Sequence, residues 1–159
     1  MGKIFLFDVD GTLTPAKSKI DKRFKKQFTK WMKDKEVYIV SGGSFVRILD
    51  QLGDSIVSKV DGVFACMGNI FHQKIDTINE SGFNEWETVY ENKFRAPRGL
   101  YADLDKIVAE SDFPIKTGNH YEERVGMVNF SIVGRKATPE QRRAYEEYDP
   151  EHNEREKIV

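Results

Sequence analysis

Three short apolar runs constrain the fold of this chain more than anything else in it: Ile4 to Phe7, Val37 to Val40 and, less cleanly, Val60 to Cys66. Unalternated runs of that length suit strands buried on both faces. Between the first two, Phe24, Phe28 and Trp31 recur at helical spacing inside the lysine-rich stretch from Asp21 to Lys35; between the second and third, Phe45, Ile48, Leu49 and Leu52 do the same before Gly53. The order strand, helix, strand, helix, strand predicts a parallel sheet of the doubly wound type. Ligands of such sheets sit beyond the carboxyl ends of the strands. "DVDGT" after the first run and "SGGS" after the second fall at that edge.

Beyond about Lys74 the pattern changes. Leu100 to Ala109 reads as a helix, and Ile115 to Val133 as an antiparallel hairpin turning near Val125 and Gly126, with Val128, Phe130 and Ile132 alternating with Asn129 and Ser131. Thr138-Pro139-Glu140-Gln141 supplies an N-cap, a first-turn proline and a capping-box glutamine for a helix through about Tyr148, with "NEREKIV" following in helical register. The fold expected is α/β: a core over residues 1–77 with three parallel strands, and a small α+β module with an antiparallel sheet over 78–159. With 25 Lys and Arg against 26 Asp and Glu, the net charge of -1 gives no general pull toward nucleic acid or an anionic membrane, so any anion site is local. No apolar run reaches the roughly 20 residues of a membrane span, and the N-terminus has no signal-peptide block, which points to a cytoplasmic protein. The single cysteine, Cys66, reads as a core thiol.

Asp8 and Asp10 stand two residues apart where the first strand ends, so both side chains point the same way. One carboxylate can attack phosphorus while the other moves the proton that the entering or leaving hydroxyl requires. Magnesium would screen the repulsion between nucleophile and phosphate. The plainer reading makes them caps of nearby amides in a strand-to-loop junction. Ser41, with Gly42 and Gly43, forms a turn at a parallel strand end that suits phosphoryl oxygens; Ser41 could equally cap the helix that follows.

"FDVDGTLTPAK", "VSGGS", and "ERVGMVNFSIVGR" with "EQRRAYEEYDPEHNEREKIV" after it resemble the haloacid-dehalogenase-like phosphotransferases and, more narrowly, the phosphomannomutases of eukaryotic type. The resemblance runs from residue 3 almost to residue 159. It implies a Rossmann-like core carrying the aspartates and an inserted cap that closes over a hexose phosphate and forms a homodimer. It makes Asp8 the nucleophile that becomes an aspartyl phosphate and Asp10 the general acid and base. Asp8 and Asp10 would also hold magnesium, and a hexose 1,6-bisphosphate would serve as activator. Lys17, Ser41, Gly42, Gly43, Arg124, Met127, Asn129, Arg135 and Arg142 match substrate-binding positions. The implied reaction interconverts mannose 6-phosphate and mannose 1-phosphate, on the way to activated mannose. Its rivals are a sugar-phosphate phosphatase on the same scaffold and a silent phosphosugar-binding or assembly module.

Departures from the family pattern are local. Lys17 stands where the family usually has arginine, Val125-Gly126 replaces Asn-Gly, and Met67-Gly68-Asn69 replaces Glu-Asn-Gly. Family members continue with the rest of the cap, a further strand, a lysine and more acidic residues. A core built from three strands alone is expected to leave one sheet edge open and apolar surface uncovered. Arg142 could also simply pair with Glu146 one helical turn on.

Overall fold

In the computed structural model, which describes residues 2–78 and 84–158, the three apolar runs become β1 (Ile4–Asp8), β2 (Glu36–Val40) and β3 (Gly62–Ala65). They pair in parallel, Phe7 against Ile39 and Ile39 against Val63. The crossovers are helical: α1 (Lys22–Trp31), α2 (Phe45–Leu52) and the single turn α3 (Asp54–Val57). Asp21 caps α1 by accepting the amides of Arg23 and Phe24, and Ser44 caps α2. The residue that caps α2 is therefore Ser44, which leaves Ser41 to the turn before it.

The sheet has five strands rather than three. β4 (Ile70–Ile78) runs antiparallel to β3, and β5 (Asn84–Glu91) antiparallel to β4, so spatial order follows chain order from β1 to β5. The chain accordingly divides into compact units at Met1–Lys93 and Phe94–Val159, whereas the boundary expected at residues 77 and 78 falls at the end of β4. Hydrogen bonding of β4 to β3 keeps this segment with the core.

The two faces of this sheet differ. On one, Phe5, Phe7, Val37, Ile39, Val63, Ala65 and Ile70 pack with Phe28, Met32, Ile48, Leu52, Ile56 and Val57 from the helices, and Val37, Ile39 and Val63 lose all contact with solvent. Trp31 meets Phe5 and Phe7 edge-on, and Trp86 meets Phe45, so both tryptophans are packing residues. The other face carries Ile4, Leu6, Tyr38, Phe64, Phe71 and Tyr90, as the register requires. Its rings contact one another, with Phe64 stacked on Phe71 at 4.4 Å, while Ile4 and Leu6 stay 64% and 58% exposed. Gly62 makes room for them, because a Cβ there would lie 2.6 Å from the Phe71 ring and 2.8 Å from Tyr38.

The second unit contains α4 (Leu100–Glu110), the hairpin β6 (Tyr121–Arg124) and β7 (Met127–Phe130), and α5 (Pro139–His152). The hairpin turns at Val125 and Gly126 as expected, and Thr138 and Gln141 form the capping box. Ile132 and Val133 leave the strand and enter a core with Phe113 and Tyr145. The expected run of helix into the last residues is interrupted. Asn153 adopts the left-handed conformation (φ 54°) and ends α5, and a short 3-10 turn follows at Glu156–Ile158. Among the described residues no helix is long and apolar enough to cross a membrane.

Candidate active site

Asp8 ends β1 and Asp10 opens the loop after it, both exposed on either side of the fully buried Val9. Val9 anchors that loop by accepting the amides of Thr12, Leu13 and Thr14, and Gly11 turns it with φ 83°. Thr12 reaches back to the Asp8 carboxylate at 3.4 Å. Asp10 is held more firmly: its Oδ1 accepts the Lys17 amide at 2.8 Å and the Gln51 side-chain amide at 2.7 Å. Desolvation pulls the Asp10 carboxyl upward, but those two donors and the charges of Arg47 and Lys17 outweigh it and hold the group below its ordinary value. Asp10 is thus ionised and oriented.

The Ser41 turn is fastened to the end of β3. The Ser41 amide donates to Phe64, its carbonyl accepts from Met67, and Gly43 accepts from Cys66. Cys66 and Met67 both take left-handed backbone conformations (φ 51° and 59°) to make this clasp. Ser41 is buried, and its Oγ accepts the Gly43 amide at 3.1 Å, so that amide is engaged within the turn. A Cβ on Gly42 would come within 3.2 Å of the Met67 sulfur. Lys17, with φ 58°, belongs to the loop that grips Asp10.

In the second unit, the register sets Glu122 opposite Asn129 and Arg124 opposite Met127, so these four side chains share one face of the hairpin. α4 attends to the other face, where Tyr101 packs on Tyr121 at 4.9 Å and donates to Glu123. That bond to a carboxylate pushes the Tyr101 hydroxyl up to about 12. Glu122 accepts from Arg124 at 3.2 Å and from Arg135. The Arg124 bond, with Arg135 beyond it, holds the Glu122 carboxyl below the usual carboxylate range. Arg142 donates to the carbonyls of Gly134 and Arg135, bracing the loop that carries Arg135 instead of pairing along its own helix. With its amide oxygen turned toward Arg124, Asn129 accepts from that guanidinium as well.

A profile of the eukaryotic phosphomannomutase family matches residues 24–159. The chain belongs to that family. It is 36% identical over 158 residues to a phosphomannomutase of Dendrobium officinale, covering 99% of this chain and 61% of that one. Against the Saccharomyces cerevisiae phosphomannomutase it is 32% identical over 156 residues, covering 98% and 59%. The chain therefore spans about three fifths of the length of the curated phosphomannomutases it matches. Among solved structures, a haloacid dehalogenase-like hydrolase from B. subtilis matches 68% of this chain and 34% of its own, at 17% identity and a TM-score of 0.44. A truncated, IMP-bound Plasmodium falciparum IMP-nucleotidase matches 80% and 39%, at 16% identity and a TM-score of 0.49.

Two residues of this phosphomannomutase-family chain escape a motif-based reading. Gln51, 4% exposed, is the side chain that grips Asp10, and it interrupts the apolar stripe of α2 beside Ile48 and Leu52. A polar residue inside an apolar stripe is a signal of its own. Glu122 precedes Arg124 by two positions, which in a strand places the pair on one face.

Proposed function

We propose that this chain carries the phosphotransfer chemistry of its family, interconverting mannose 6-phosphate and mannose 1-phosphate through a phosphoryl group on Asp8. The observation that supports this most directly is the pair of exposed carboxylates flanking buried Val9, one lightly held and one fixed by Gln51 and the Lys17 amide. A lightly held carboxylate is free to act as nucleophile. With Asp8 phosphorylated, ionised Asp10 removes the proton of the attacking sugar hydroxyl as the bond from that oxygen to phosphorus forms and the bond from Asp8 to phosphorus breaks. In the return step an Asp8 oxygen attacks a phosphorus of the resulting bisphosphate, the bond from phosphorus to the sugar oxygen breaks, and that oxygen takes back the proton held by Asp10. The orientation of Asp10 comes from Gln51, whose own place in the core of α2 is fixed by burial.

Two exposed hard-oxygen donors at one strand end fit a cation that keeps several waters and completes its shell with substrate phosphate. Among the described residues no group of three or more acidic, histidine or cysteine side chains that could hold a metal ion is assembled. Asp8 and Asp10 would hold magnesium, whose charge would offset that of nucleophile and phosphate. Arg124, Arg135 and Arg142, with Met127 and Asn129, would receive the phosphate that does not react, and the second unit would form the homodimer. The meeting of Arg124, on the hairpin, and Arg135, on the loop after it, at the one carboxylate of Glu122 supports the anion role.

Phosphorus NMR of the chain with magnesium, mannose 1-phosphate and catalytic glucose 1,6-bisphosphate tests the proposal. Mannose 6-phosphate should accumulate, and Asp8→Asn should abolish it. Release of inorganic phosphate alone would make the protein a phosphatase, and no turnover would leave it a phosphosugar-binding module.

A further inference from the structure

Arg124 and Arg135 meet an anion of the chain's own. Glu122 lies on the same face of the hairpin as Arg124, accepts from its guanidinium at 3.2 Å, and accepts from Arg135 as well. The arrangement is built from fixed backbone. β6 pairs with β7 at Glu122 and Asn129, the Arg135 amide donates to Asn119 at 2.7 Å, and Arg142 holds the Arg135 carbonyl at 3.0 Å. Gly134 turns the chain into Arg135 at φ 87°, so close to Thr117 that a Cβ would lie 1.9 Å from its carbonyl oxygen. Yet the three charged side chains stay open to solvent: 42% exposed for Glu122, 23% for Arg124 and 35% for Arg135. The nearest other acid on the hairpin, Glu123, points to the opposite face and is taken by Tyr101.

We propose that Glu122 is a resident competitor for the anion site: it occupies Arg124 and Arg135 until a ligand displaces it, and so lowers the affinity of the site for every anion by one common factor. The inference rests on the reading of these arginines as an anion site. A tethered carboxylate acts at a high effective concentration, because it needs no diffusion to reach its partners. A singly charged ligand that replaces it exchanges one ion pair for another and gains little. A phosphate monoester brings two charges and three strong acceptor oxygens, and wins the exchange. Glu122 thereby sets the ligand concentration at which this site fills.

The experiment is a titration of the full chain, followed through the arginine side-chain Nε–Hε signals by NMR, at one pH where methyl phosphate is dianionic and dimethyl phosphate monoanionic. The wild type should bind methyl phosphate much the tighter of the two. Glu122→Gln should bind both probes about tenfold more tightly than the wild type and leave the ratio between them unchanged, since a charged competitor has become a neutral one. Glu122→Asp keeps the charge and should keep the wild-type affinities, which guards against a substitution that merely disturbs the hairpin; thermal unfolding checks each variant. Unchanged or weaker binding of both probes by Glu122→Gln would overturn the proposal and make Glu122 a support for the arginines. If neither probe binds either protein, the anion-site reading fails first and this inference with it.

Discussion

The two faces of the five-stranded sheet share the same strands and register but not the same fate. Under α1, α2 and α3, Val37, Ile39 and Val63 are sealed completely, whereas on the reverse Ile4 and Leu6 stand more than half exposed beside a row of rings from Tyr38 to Tyr90. Its edges differ as well. β5 is guarded by Glu85, Glu87 and Glu91, charges that discourage pairing with another chain, while β1 carries four uncharged residues, Ile4, Phe5, Leu6 and Phe7, before its single charge at Asp8. Burial on both faces is what the run of apolar residues in β1 is suited to, and this sheet provides it on one. An apolar strand therefore does not by itself report a closed core; the second layer has to be supplied by something.

The largest effect should come from the sealed face. Ile39→Ala empties a site with no solvent contact and should cost about 2–5 kcal/mol, read from urea unfolding. Gly62→Ala acts on the other face, where the new methyl collides with two rings that have open space to move into. A loss of about 1–3 kcal/mol is expected, with a changed near-ultraviolet dichroism as Tyr38 and Phe71 shift. Smallest is Leu6→Lys, which should leave stability within about 0.5 kcal/mol and reduce self-association in sedimentation velocity. A cost for Leu6→Lys comparable to that of Ile39→Ala would break the contrast between the faces.

Much of this was legible in the residues. The parallel strands, both amphipathic helices of the first unit and the turn at Val125 and Gly126 follow from local periodicity and turn chemistry. The β4–β5 hairpin did not, because register shifts beside Phe71 and between Lys74 and Ile78 spoil the two-residue alternation that marks a half-buried strand. The end of α5 was also hidden, as it depends on Asn153 accepting a left-handed conformation rather than on a glycine. At the site, the motif residues were placed by their strands, but their supports were not. Gln51 reaches Asp10 across 41 positions of sequence, a distance over which no spacing rule speaks. Glu122 drew no notice because an acid next to arginines usually reads as surface pairing.

Among the described residues β1 hydrogen-bonds to one strand only, and that partner lies beyond the whole of α1 in the chain. Contacts between β4 and β5 close over a short stretch, whereas the pairing of β1 with β2 must wait for a long loop to be drawn in. The order of assembly then runs opposite to the order of synthesis. The strand that bears Asp8 precedes its partners in the chain and is secured late, and in the folded protein its amides should be among the first of the sheet to exchange with deuterium.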